Sequence, residues 1–415
     1  MPTTAIVNIG ELVTLRGPAR PRAGAEMRQL GVVRDAELLI EDGRIVCAGT
    51  CGDLVEKIPE GAQIIDAGGR CVTPGFVDAH THLVFAGNRA AEFEQRIAGA
   101  TYQEIAAAGG GIKSTVKKTR AASEDELLSA ARLHRDWMLR AGTTTMEAKS
   151  GYGLERDTEL HMLRVMGRLS DEGPTQIVPT LLAAHTVPEE FAGRRSEYVR
   201  WVAEELIPEV AAAKLARYCD VFCDDHAFKV EEARVVLAAA RKYGLGLRVH
   251  AEQFRSGTGA ALAAEMGAAT ADHLEVVEED ALRALKAAGV QPVLLPGSVF
   301  ALGRTQYPPA RTMIALGLGV VLATDFNPGS SPIASMPLVM SLACLEMKMT
   351  PAEALTACTV NAACSLGLGA QVGSLEPGRR ADFLIHEFTD YRELAYFIAA
   401  PARPRVFIAG REVMA

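Results

Sequence analysis

A chain of 415 residues, 49% hydrophobic and 23% charged, is a well-buried globular protein, either two ordinary domains or one large barrel with an appendage. Its net charge of −8, with no Lys/Arg-rich block, argues against a nucleic-acid partner, and an anionic substrate would need a local arginine to overcome that field. No apolar run reaches the ~20 residues of a membrane helix, and no basic segment followed by an apolar core opens the chain.

Residues 1–73 read as short strands: 5–15 and 38–48 are rich in Val, Ile and Leu, and Asp42-Gly43 is a hairpin signal. The C-terminal stretch 369–415 repeats this character, with strands over 381–385 and 406–408. Two β-rich ends around a different middle predict one small β-sandwich domain built from both termini.

The middle, 74–368, alternates the two periodicities. Strands are expected over 76–82, 143–148, 177–185, 221–223, 245–250, 270–273, 292–295 and 320–325, and helices over 124–141, 196–215, 230–243 and 278–288. Ser123 to Glu126 has the spacing of a capping box at the start of the first of these helices. Eight strands separated by helices predict an α/β fold, a (β/α)8 TIM-like barrel. The eight cysteines form no Cys-x-x-Cys pair, which fits reduced thiols in a cytoplasmic enzyme.

In such barrels the active site lies at the C-terminal ends of the strands. His80 and His82 end the first expected strand, His185 the third, His250 the fifth, His273 the sixth and Asp325 the eighth. His80 and His82, two apart in an extended strand, share a face. His134, His161, His226 and His386 read as ordinary core or surface residues. His80, His82, His250 and Asp325 form an N/O donor set suited to one divalent metal ion, zinc or iron, with a position open for water. Such an ion lowers the water's pKa toward ~7, and Asp325 can accept its proton. A bridging lysine for a second metal is missing from the fourth expected strand, where the first lysine after Asp224-Asp225 is Lys229. Glu252, one strand period beyond His250, suits a proton shuttle or a substrate clamp. His273 is left to polarise a carbonyl or stabilise an oxyanion. Gly109-Gly110-Gly111 is not a phosphate loop, since Ile112 precedes Lys113 and no strand comes before it; it reads as a flexible lid.

These ligand positions, framed by a split β-domain, resemble the amidohydrolase superfamily. Ala79 to Arg89, Gly109 to Ile112, Lys149 to Gly153 and Asp325 to Ser331 are similar to its imidazolonepropionase family. The resemblance spans nearly the whole chain. It implies hydrolytic opening of the imidazolone ring of a small-molecule substrate, imidazolonepropionate, by metal-activated water. Arg89 would hold the propionate; Tyr152 and His185 would line the ring or carboxylate pocket; Gln253 would bond the ring. Asn327, Gly329 and Ser330 would offer polar and backbone groups, with Tyr102 a further pocket residue that could instead pack a helix. Glu252, His273 and Asp325 would handle protons and oxyanion. The other readings are a cyclic amidine or nucleobase deaminase on the same metal set, and a non-catalytic barrel scaffold. The oligomeric state is open, a homodimer being one expectation.

Overall fold

The computed structural model describes residues 3–50, 58–100, 104, 109–224, 227–400 and 403–414. The N-terminal strands are β1 (Thr4–Val13), β2 (Val32–Glu41), β3 (Arg44–Thr50), β4 (Gln63–Asp66) and β5 (Cys71–Pro74), and the C-terminal ones are β14 (Phe383–Ile385), β15 (Arg405–Ile408) and β16 (Arg411–Met414). They form one sheet in the order β16-β15-β14-β5-β1-β2-β3, with β4 also paired to β1. The two ends of the chain meet where β5 runs antiparallel to β14, Thr73 opposite Leu384. Beneath lies a core of its own, including Ile6, Leu38, Phe383 and Phe407. Asp42 (φ 48°) and Gly43 (φ 75°) make the hairpin turn between β2 and β3.

His386 is buried in this unit, sharing a 2.8 Å hydrogen bond with Thr73 Oγ1 and stacked on Phe388. Burial pulls its pKa down to about 3. The folded state therefore holds His386 neutral, whereas the unfolded chain protonates it near ~6.5. Its contribution is complete above that pH and is lost as pH falls toward 3. Acidification from pH 6.5 to 5 should cost about 2 kcal/mol through this group. A His386→Gln variant should lose less of its melting temperature than the wild type over that interval.

The barrel strands are β6 (Phe76–Asp78), β7 (Thr143–Lys149), β8 (Gln176–Ala184), β9 (Tyr218–Cys223), β10 (Gly246–Ala251), β11 (Thr270–His273), β12 (Gln291–Leu294) and β13 (Val321–Leu322). Each is parallel to the next. The seam between β6 and β13 is stitched by side chains and single bonds. Asp78 accepts from the Thr324 hydroxyl (2.6 Å) and N–H (3.1 Å), Asp325 N–H donates to His80 O, and His82 N–H donates to Phe326 O. The first and last strands are shorter than the expected 76–82 and 320–325, ending at Asp78 and Leu322, and Asp325 beyond the last one holds left-handed backbone (φ 54°). His80, His82 and Asp325 sit just past the regular strand ends, on the seam that closes the barrel.

The helix expected over 196–215 is also interrupted. It runs as Arg195–Trp201, a wide turn over Val202–Leu206, then Ile207–Ala212. Pro208 has no N–H to continue the regular ladder, and the Ile207 N–H bonds back to Val202 O instead. Four helices bear on the site: α1 (Ala90–Ile97), α2 (Ile112–Ala121), α3 (Glu124–Arg140) and α4 (Arg156–Glu172). The Ser123 and Glu126 capping box that starts α3 is present. Seven cysteines among the described residues are free thiols. No described helix is long and apolar enough to cross a membrane.

Candidate metal centre and active site

His80, His82 and His250 are each no more than 3% exposed, and their ligating nitrogens lie within 4.8 Å of one another. Asp325 Oδ1 lies 3.4 Å from His80 Nε2 and 3.5 Å from His82 Nε2. His80 Nε2 and His250 Nε2 are buried without hydrogen-bond partners, which in a dry site is unfavourable unless the lone pairs have an acceptor of electrons. A metal ion is such an acceptor, and the donor set fits one.

Neutral imidazoles are what a metal needs. Burial lowers His82 well below its usual value and His250 to about 4. Burial and the nearby Lys149 charge work against the charge of His80, but the carboxylates of Asp272 and Asp325 outweigh them and raise that pKa. His80 Nδ1–H donates to Asp272 Oδ2 at 2.6 Å, which fixes Nε2 as the free nitrogen. Asp325 is buried, a penalty outweighed by the imidazoles of His80 and His82, which hold its carboxyl well below the ordinary range.

Under these candidate ligands lies a layer that the sequence reasoning missed. Glu147, Lys149, Asp220, Arg248 and Asp272 are all fully buried. Lys149 Nζ reaches Glu147 Oε1 (2.7 Å) and Asp220 Oδ2 (2.6 Å), and Asp220 Oδ2 also faces His250 Nδ1 at 3.0 Å. Arg248 donates to Ala79 O, and Glu147 accepts from the N–H of Thr81, the residue between the paired histidines. The signal was present: charges inside otherwise apolar strands, each demanding a partner.

His273 closes a second donor group with His80 and Asp325, again within 4.8 Å. Its Nδ1–H donates to Glu275 (3.2 Å); burial opposes its charge, yet Glu275 raises its pKa above the usual value. Glu252 Oε1 accepts from Ala260 N–H while Oε2 is buried without a partner, and burial pushes its pKa up to about 7. Glu252 (φ 51°), His273 (φ 80°) and Asp325 (φ 54°) all hold left-handed backbone, a strain of the kind that clusters at functional sites.

The other expected pocket residues gather beside this centre. His185 stacks on His82 with ring centroids 5.2 Å apart, and Tyr152 lies 5.8 Å from His82 and 5.4 Å from His185. Arg89 Nε donates to Thr115 Oγ1 of α2 at 2.8 Å, and its Nη2 is buried with no partner. A Cβ on Gly329 would stand 2.2 Å from Arg89 Nη1, so only glycine lets the guanidinium pass the loop after β13. Asn327 spends its amide inside that loop, donating to Asp325 O and accepting from Gly329 and Ser330 N–H; it shapes the turn. Ser330 Oγ lies 3.5 Å from Asp325 Oδ2, and Gln253 Nε2 the same distance from Ser298 Oγ. Tyr102 lies outside the described residues. The expected lid glycines lead into α2, where Gly111 N–H donates to Glu92 of α1. His134 donates to Leu83 O and packs on Phe85, an ordinary structural role.

The amidohydrolase family matches residues 71–413. The imidazolonepropionase of Solibacter usitatus is 56% identical over 411 residues, covering 99% of this chain and 98% of that one. The chain is an amidohydrolase of the imidazolonepropionase family. The imidazolonepropionase of Geobacillus kaustophilus is 46% identical, with 97% of this chain and 96% of that one covered. Among solved structures, 5-methylcytosine deaminase from Klebsiella pneumoniae aligns with a TM-score of 0.76 at 17% identity, covering 99% of this chain and 97% of that one. E. coli guanine deaminase aligns at 0.73 and 16%, covering 100% and 99%. These two share the fold of this chain over nearly its whole length.

Proposed function

We propose that this amidohydrolase hydrolyses 4-imidazolone-5-propanoate to N-formimidoyl-L-glutamate, a step of histidine degradation, in the cytoplasm. His80, His82, His250 and Asp325 would hold one divalent ion, zinc or iron(II); when bound, it supplies an acidified water and a Lewis acid. The observation that carries the substrate is Arg89, whose Nη2 is buried and unpartnered and whose charge acts on His185 of the ring cluster. A planar guanidinium fork suits the propionate carboxylate, while Tyr152, His185 and Gln253 flank the ring. Asp325 accepts the water's proton as its oxygen reaches the ring carbonyl carbon. His273, whose protonated form Glu275 favours, donates to the oxyanion that develops there. Glu252 relays a proton toward the nitrogen released when the ring C–N bond breaks.

The test is a direct assay. Metal-analysed protein should remove the imidazolone absorbance without releasing ammonia from guanine, cytosine or adenosine. Ammonia release from one of these, with imidazolonepropionate untouched, would make it a deaminase. Arg89→Gln should raise KM about 10- to 100-fold, the loss of a charged hydrogen bond, and change kcat less.

A further inference from the structure

We propose that Glu159 is a positioning residue for the substrate pocket, clamping the loop between β7 and α4 so that Tyr152 and His185 are set for the ring. The proposal rests on the imidazolonepropionate reading and adds a specificity element outside the metal centre. Glu159 sits in the first turn of α4 and is fully buried. Its Oε1 accepts from the N–H groups of Gly151 (3.1 Å), Gly153 (2.8 Å) and Leu154 (2.8 Å), and its Oε2 from Gly151 (3.2 Å). Backbone N–H groups converge this way only when the chain curls. Gly151 (φ 100°) and Leu154 (φ 55°) supply the curl, and the loop becomes an anion nest filled by its own carboxylate.

Crowding fixes both glycines. A Cβ on Gly153 would lie 2.6 Å from Glu159 N and 2.9 Å from its Oε1, and one on Gly151 would lie 2.7 Å from Leu182 O and 3.1 Å from His185 Nδ1. Gly151 also gives its carbonyl to His185 Nδ1 at 3.0 Å. A carbonyl only accepts, so Nδ1 carries the proton. In the neutral ring this leaves Nε2 as an acceptor, suited to a ring N–H of the substrate. From the other side, Arg120 of α2 donates to Gly153 O (2.6 Å) and pairs with Glu190 beyond β8 (2.7 Å). The same helix holds Arg89 through Thr115. Carboxylate recognition and ring recognition are thereby braced on one frame.

The experiment compares wild type, Glu159→Gln and Arg120→Met, each metal-loaded. Glu159→Gln keeps one oxygen for the donors at Oε1 and turns an amide NH2 toward the Gly151 N–H that faces Oε2. It should raise KM for imidazolonepropionate about tenfold, with kcat within about threefold and metal content unchanged. Arg120→Met, at a partly exposed position, should move KM in the same direction and decides the matter if Glu159→Gln does not fold. A role confined to fold stability would lower the active fraction, hence kcat, and leave KM alone; that result overturns the proposal. The 15N shifts of His185 give a readout independent of turnover. They should report the Nδ1–H form in the wild type and a changed ring environment in Glu159→Gln, and identical shifts would overturn the proposal. Failure of the wild type to consume imidazolonepropionate would sink the substrate reading, while the His185 shifts still decide the clamp.

Discussion

An Asp325→Ala variant should lose turnover by about a thousandfold or more, since a positioned proton acceptor alone is worth 10²–10⁴ and the same carboxylate is proposed to ligate the metal. Its oxygen lies within 3.5 Å of both His80 Nε2 and His82 Nε2. Removing it takes away an anionic donor and leaves two imidazoles facing a void. Metal content of the purified variant should fall with activity. Asp325→Asn separates the two duties. It keeps an oxygen of the same reach, so metal retention should exceed that of the alanine variant, yet an amide cannot accept the water's proton. Turnover at saturating metal should stay low in both. Recovery of near-normal turnover by Asp325→Asn at high metal would remove Asp325 from proton transfer.

The sequence announced this centre because metal donors are chemically rare and their positions are periodic. Histidines at strand ends 80, 82, 250 and 273 and an aspartate at 325 converge once eight βα units are counted. The layer beneath was not legible in the same way. Glu147, Lys149, Asp220, Arg248 and Asp272 each look anomalous in a strand, but which charge meets which depends on contacts 71 residues apart for Lys149 and Asp220 and 192 for His80 and Asp272. Glu159 was hidden for another reason: an acidic residue in the first turn of a helix is ordinarily a solvated partner of the helix dipole. The helix over 196–215 failed at Pro208, a breaker that is visible in the sequence and outweighed there by the apolar pattern.

Lys149→Met should be among the most destabilising single changes in the metal-free protein. Lys149 lies between Glu147 and Asp220 and 3.7 Å from Asp272. Its own charge survives complete burial because Asp220 and Glu147 outweigh the desolvation and raise its pKa. With methionine there, Arg248 is left as the fixed cation facing three buried carboxylates. Breaking a buried pair in this way costs about 3–5 kcal/mol. A divalent ion on His80 and His250 would restore positive charge next to Asp272 and Asp220, the acceptors facing their Nδ1 atoms. Added metal should therefore raise the melting temperature of Lys149→Met by more than it raises that of the wild type. Asp220→Asn added to Lys149→Met should recover part of the metal-free stability, because it removes one unpaired charge, and the double-mutant cycle measures that coupling. An unchanged melting curve for metal-free Lys149→Met would mean that the ligand layer stands without its central cation.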